Sequence, residues 1–340
     1  MSPTPPIPLL ALLLLLLSPP TRADCECGYT VNATLYTDLL ETDFLHLPNI
    51  TRDTDWQPQN YTVSPAAARG PYGKNASLSN VVANPLHDNN TSAGPGLLGG
   101  DPGLQLWVRG GIPQDGLIPI AEIASARDDM LYGSFRASMK LTGTPGTCGA
   151  FFWYYNNSQE IDLEFLSRQF PPPSNASTTY PLNLVLQSPL SALANSAAHT
   201  PTFTTYPLPF CPTAAYHEYR FDWSPRAVTF YADSVPLASM NLSVPSAPGS
   251  VHLSHWSNGD AGWSAGPPAA DAVLAVGYVK AYFNSSAERR QADWRARCKD
   301  LSAKGATCVV PDQEGPPGEA ETWFFSQQAN MTGNQTVFGG

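Results

Sequence analysis

Charge is what this chain has least of. Only 14% of its 340 residues are Asp, Glu, Lys or Arg, and the 18 Lys and Arg never gather into a cluster. Phosphate binding needs such clusters. The formal net charge of −10 adds repulsion, so nucleic acid is excluded as a partner. A neutral polysaccharide would meet no such barrier. Cysteine is also scarce, with six: Cys25, Cys27, Cys148, Cys211, Cys298 and Cys308. None falls in a C-x-x-C pair or a Cys/His cluster, which leaves no zinc spacing, no metal ligand set and no cofactor to name. No apolar run after residue 17 approaches the length of a membrane span. Helical periodicity is rare. What is abundant is Pro, at 34, and Gly, at 26, the punctuation of many short strands.

The one long apolar run, residues 9–17, is too short to span a bilayer and suits a secretory signal. Residues 1–23 are read as that signal peptide. The C-terminus has no hydrophobic tail, so no lipid anchor is expected. Twelve N-x-S/T sequons, Asn156 among them, agree with a glycosylated extracellular or cell-wall protein. In that setting six Cys read as disulfides. Cys298 and Cys308 close a short loop and are the favoured pair; the remaining pairing stays open.

The chain is organised around Glu160-Ile161-Asp162-Leu163-Glu164. An aromatic run, Phe151-Phe152-Trp153-Tyr154-Tyr155, precedes it, and Phe165-Leu166 follows. Such residues fit a pleated surface. In a strand alternate side chains share a face, so Glu160, Asp162 and Glu164 point one way while Ile161 and Leu163 point into a core. Three acids together repel and lose solvation, which a merely structural strand rarely accepts. Acid–base chemistry on a sugar requires it. The outer Cα atoms lie about 13 Å apart; two glutamates leaning inward approach the roughly 5–5.5 Å of a retaining glycosidase.

These residues, together with Tyr132-Gly133-Ser134-Phe135-Arg136-Ala137 upstream, resemble glycoside hydrolase family 16. So do His217-Glu218-Tyr219-Arg220-Phe221-Asp222-Trp223, Trp256-Ser257-Asn258-Gly259-Asp260-Ala261-Gly262-Trp263 and Val276-Gly277-Tyr278-Val279-Lys280-Ala281-Tyr282. The resemblance covers roughly residues 104–283. It implies an all-β, concanavalin A-like jelly-roll sandwich with a concave substrate cleft. It also implies Glu160 as nucleophile, Asp162 as its helper and Glu164 as acid/base. Trp153, Tyr155, Gln187, His217 and Trp223 enter as weaker substrate contacts, by resemblance or by nearness to the acids. Trp256 and Trp263 are candidates for stacking on sugar rings. Some family members bind calcium, but no ligand set can be named here.

The resulting plan places an irregular segment at 24–103, wrapping the sandwich. The jelly roll spans 104–286, and a Cys-containing short helix and flexible tail follow at 287–340. Gly262-Trp263-Ser264-Ala265-Gly266 matches the esterase pattern G-x-S-x-G, but Pro267-Pro268 follow where that motif needs a helix. His252 and His255 are three apart on a strand and face opposite ways, so they do not form a metal pair. The function expected is a secreted, retaining, endo-acting hydrolase of β-linked glucan, without a membrane span and monomeric. The alternatives are a cell-wall transglycosylase using a sugar acceptor, and a non-catalytic lectin on the same fold.

Overall fold

The computed structural model describes residues 25–170 and 179–313, with 315, 317, 318 and 322–325. The signal-peptide reading, the sequons at Asn175, Asn330 and Asn334, and the end of the tail lie outside them. The chain begins with β1 (Gly28–Val31), β2 (Thr34–Tyr36), β3 (Asp38–Asp43), β4 (Trp56–Pro58) and β5 (Tyr61–Val63). The short helix α1 (Pro65–Ala68), β6 (Gly73–Ala76) and β7 (Val81–Asn84) complete the N-terminal segment. Then come β8 (Gly103–Val108), β9 (Leu117–Ser125), β10 (Met130–Lys140), β11 (Cys148–Asn156), β12 (Gln159–Leu166) and β13 (Tyr180–Gln187). After α2 (Pro189–Ala194) follow β14 (Phe203–Leu208), β15 (His217–Trp223), β16 (Val228–Ala232), β17 (Val235–Met240), β18 (Ser250–Trp256) and β19 (Ala272–Ser285). The chain ends in α3 (Glu288–Arg297) and β20 (Thr307–Val309).

Two large sheets stack into the jelly roll. One runs β14-β13-β12-β11-β18-β9-β6-β5, with β4 also on β9; the other runs β17-β16-β15-β10-β19-β8-β7, with β3 also on β19. Between them lies a core to which Ile161, Leu163 and Phe165 contribute from one sheet and Phe135, Phe221 and Phe283 from the other. The same alternation that buries Ile161 and Leu163 turns the three acids outward. A one-residue slip of β12 would bury all three carboxyls and expose three large apolar groups, each worth about 1.5–3 kcal/mol when buried. The register is therefore locked, and with it the position of the acids.

The N-terminal segment, expected as an irregular wrap, is built into the sheets. β3 pairs with β19, β4 and β6 with β9, and β7 with β8. Its polar, turn-rich composition hides this because each strand is short and sits at or near an edge. The first and last described strands meet over the outer face of the second sheet, where β1 pairs with β20 in parallel. That face carries Arg136, Arg220 and Lys280, all buried. Arg220 Nη1 donates to Asp312 at 2.9 Å, and Lys280 Nζ donates to the Trp323 carbonyl at 2.7 Å. The expected Cys298–Cys308 bridge is corrected: the bonds are Cys25–Cys308 and Cys27–Cys298. The β1–β20 pairing brings these cysteines opposite one another, a long-range contact that spacing does not encode.

Candidate active site

The outward face of the first sheet is the floor of a cleft of about 430 Å³. Hairpin pairing of β11 with β12 sets Ala150 beside Glu164, Phe152 beside Asp162 and Tyr154 beside Glu160. From the other side β13 sets Gln187 beside Glu160 and Asn183 beside Glu164. Asp162 is buried, while Glu160 and Glu164 are partly open. Gln187 Nε2 donates to Asp162 Oδ2 at 3.1 Å. The Trp263 indole lines the cleft with Glu164, and the Cys148 thiol lies 3.5 Å from Glu164 Oε1.

All three acids hold protons more tightly than usual. Burial is the main cause for Glu160, which is pushed up to about 8; the Glu164 and Glu122 charges add to this, and a hydrogen bond from Asp162 opposes it. Asp162 is pushed well up by burial, by the charges of Glu160 and Glu164, and by its hydrogen bond to Glu160. Burial raises Glu164 too, against the Trp263 and Cys148 hydrogen bonds and the charges of Lys74 and Arg69. Asp162 is thus the donor and Glu160 the acceptor of their shared proton, which leaves Glu160 the more anionic of the two.

Three peptide segments wall the cleft. Residues 195–199 follow α2 on one side, and residues 67–69 after β5 stand on another. The third is the loop after β18, carrying Asp260 and Trp263. This loop is held by Arg168, whose Nε donates to the Trp263 carbonyl at 2.7 Å and Nη2 to the Gly262 carbonyl at 2.7 Å. Asn258 Nδ2 donates to the Ala68 carbonyl at 2.7 Å, which ties the loop to the N-terminal segment. Gly70 allows that approach, since a Cβ there would stand 2.4 Å from the Asn258 carbonyl oxygen. Ser264 is fully buried and bonded to Asn258 Oδ1 at 2.8 Å. It sits in this loop with no helix after it, and so has no place as an esterase nucleophile.

Of the residues expected at the site, Glu164, Gln187, Trp256 and Trp263 line the cleft, while Asp162 and Glu160 continue the same strand face beside Gln187 without lining it. Four others lie elsewhere. Trp153 and Trp223 are fully buried in the core, their rings 4.3 Å apart. Each shares the strand face of its apolar neighbours, Phe151 in one case and Phe221 in the other. His217 lies on the second sheet, stacked on Phe210 at 3.6 Å and bonded through Nδ1 to Asp233 at 2.6 Å. Tyr155 is exposed where the β11–β12 pairing slips beside the turn, and does not line the cleft. Residues the sequence reading missed are Lys74, Arg69, Asn258, Asp260, His199 and Cys148. Cys148 was readable, being two residues before Ala150 on the acids' side of β11, and so were Asn258 and Asp260, which lie between Trp256 and Trp263; Lys74, Arg69 and His199 come from distant segments.

His252 and His255 do face opposite ways. His252 meets Glu122 at 3.1 Å on the cleft side of the sheet, whereas His255 is buried against the Leu106 carbonyl at 2.8 Å. Burial pushes His255 down to about 4, so it stays neutral. Among the described residues no group of three or more His, Cys, Asp or Glu could hold a metal ion.

Residues 120–273 match the family model described as glycosyl hydrolases family 16. The chain is 30% identical over 144 residues to the probable xyloglucan endotransglucosylase/hydrolase protein 27 of Arabidopsis thaliana, covering 38% of this chain and 40% of that protein. It is 28% identical over 130 residues to a beta-glucanase of Bacillus amyloliquefaciens, covering 37% of this chain and 47% of that one. The chain thus spans less than half the length of these two relatives. Among solved structures, the Bacillus licheniformis beta-glucanase has a TM-score of 0.52 at 18% identity, over 72% of this chain and 97% of that one, a likeness of fold. Sheet stacking, acid strand and sequence match agree: the stretch 120–273, which carries Glu160, Asp162 and Glu164, matches the family model of glycoside hydrolase family 16, on a fold like that of the Bacillus licheniformis beta-glucanase.

Proposed function

We propose that the protein is a secreted, retaining, endo-acting glycoside hydrolase of β-linked glucan. The observation that carries this reading is the acid strand: three carboxyls on one strand face, with Glu164 lining the cleft alongside Trp256 and Trp263. Glu160, as carboxylate, attacks the anomeric carbon. Glu164, protonated, gives its proton to the departing glycosidic oxygen as that bond breaks. A covalent glycosyl-enzyme forms on Glu160. Glu164, now a carboxylate, takes a proton from water, whose oxygen attacks the anomeric carbon and releases Glu160. Asp162 keeps Glu160 oriented and ionised by holding the shared proton. Trp256 and Trp263 offer apolar faces to the sugar rings, and Gln187 fixes Asp162.

A sugar hydroxyl in place of water gives transglycosylation on the same residues. The likeness to a protein named endotransglucosylase/hydrolase keeps this second reading in view. A lectin has no use for three carboxyls desolvated against one another, each strained in its protonation.

The test is incubation with defined β-glucan oligosaccharides and mass analysis of shorter and longer products. Shorter products alone mean hydrolysis; longer ones mean transfer. Glu160→Gln and Glu164→Gln should each lose about a thousandfold or more in turnover while still binding oligosaccharide. Variants as active as the wild type, or a wild type that binds and never cleaves, would sink the proposal.

A further inference from the structure

Lys74 enters the cleft from β6, outside the stretch 120–273 that matches the family. Its ammonium stands 4.5 Å over the Trp256 ring, and among the described residues it makes neither an ion pair nor a hydrogen bond. Lys74 is half-buried and lines the same cleft as Glu164, so its charge reaches that carboxyl across partly screened space. We propose that Lys74 is a positioning residue for Glu164: its charge sets how readily Glu164 gives up a proton, and its ammonium, seated over the Trp256 ring, holds that ring at the cleft. This rests on the glycosidase reading of Glu164.

The groups around Glu164 can be taken element by element. Its own strand supplies Glu160 and Asp162, β11 the Cys148 thiol, and the loop after β18 the Trp263 indole and Asp260. The segment after α2 supplies His199, and the N-terminal segment supplies Arg69 and Lys74. Glu122 and His252 form a pair on the same side of the sheet, with Tyr61 donating to Glu122 at 2.6 Å. Only Lys74 and Arg69 are permanent cations. Arg69 is exposed and donates to the Asn195 carbonyl at 2.9 Å, so water screens its field. Lys74 is half-buried, so water screens its charge less than that of Arg69. Burial pushes the Lys74 ammonium below its ordinary value, and the charge of Glu122, then those of Cys148 and Glu164, oppose that fall. The coupling is therefore mutual: Lys74 favours the Glu164 carboxylate as Glu164 favours the ammonium.

The test is the pH profile of kcat/KM on a soluble β-glucan for the wild type, Lys74→Met, Lys74→Gln and Lys74→Arg. The alkaline limb reports loss of the Glu164 proton. Without the cation that limb should move up by about one pH unit in both neutral variants, while Lys74→Arg stays near wild type. A limb that stays in place in folded neutral variants, or moves equally in Lys74→Arg, overturns the proposal. If the wild type cleaves no glucan, the glycosidase reading fails first. The charge coupling is then read by carboxyl-carbon NMR titration of glutamate-labelled protein, with Glu164 assigned through Glu164→Gln. An unchanged Glu164 midpoint in Lys74→Met overturns it there too.

Discussion

Replacing Trp153 separates a core role from a substrate role. The side chain is fully buried and packs on Trp223 at 4.3 Å, while its indole N–H has no partner among the described residues. Truncating a buried Trp to Ala costs about 3–5 kcal/mol through lost contacts and the cavity left behind. Removing an unpaired buried N–H returns about 1 kcal/mol or more. The net for Trp153→Ala is then about 2–4 kcal/mol. Trp153→Phe keeps most of the ring contact and also sheds the orphan N–H, so it should cost about 1 kcal/mol. In a domain this large each kcal/mol moves Tm by roughly 2 °C. The expected falls are about 4–8 °C for Ala and about 2 °C for Phe, with KM for glucan changed less than twofold in both. The assay is a thermal melt paired with initial rates across substrate concentration. A Trp153→Ala protein that melts like the wild type but binds glucan tenfold more weakly would return Trp153 to the cleft and refute the core assignment.

The acid strand also makes stability depend on pH. Carboxyls whose folded values are raised contribute stability that is complete below their unfolded values near 4 and is lost as pH rises toward the folded ones. With Glu160 at about 8, Tm should fall between about pH 4 and pH 8. Asp162→Asn should raise Tm more at pH 8 than at pH 4 while lowering kcat; equal shifts at both pH values contradict the linkage. Arg168→Ala frees the Trp263 loop from its two carbonyl contacts. It should cut kcat/KM about tenfold with little change in Tm, and unchanged activity would mean the loop needs no such hold. Non-reducing peptide mapping should recover Cys25 joined to Cys308 and Cys27 to Cys298. Reduction should destabilise the protein by about 5 kcal/mol on chain-entropy grounds, and recovery of a Cys298–Cys308 peptide would contradict the fold of the termini.

The acid strand was legible because its period-two alternation is unbroken: Ile161, Leu163 and Phe165 on one side, Glu160, Asp162 and Glu164 on the other. The jelly roll followed from the same signal in β8 to β19, where apolar residues recur at every second position. Trp223 was misassigned although the evidence stood in its own strand. Tyr219, Phe221 and Trp223 form the apolar set, against Glu218, Arg220 and Asp222. Trp153 was harder, because Phe152 and Tyr154 are aromatic as well and do not mark which face is wet. Lys74 and the disulfide partners carry no local sign at all. Lys74 sits in Gly73-Lys74-Asn75-Ala76, which reads as a turn until β9 lies beside it. The cysteines are placed by contacts between residues near 27 and residues near 300, and no window of sequence spans that distance.

The two bridges have a further consequence. They join Cys25 to Cys308 and Cys27 to Cys298, across 283 and 271 residues. Between these cross-links the polypeptide is a closed circuit. A protease that severs one exposed peptide bond within it opens the circuit but releases nothing, and both fragments stay tethered through sulfur. Nicked protein should therefore run as one species until thiol is added, and then fall into two.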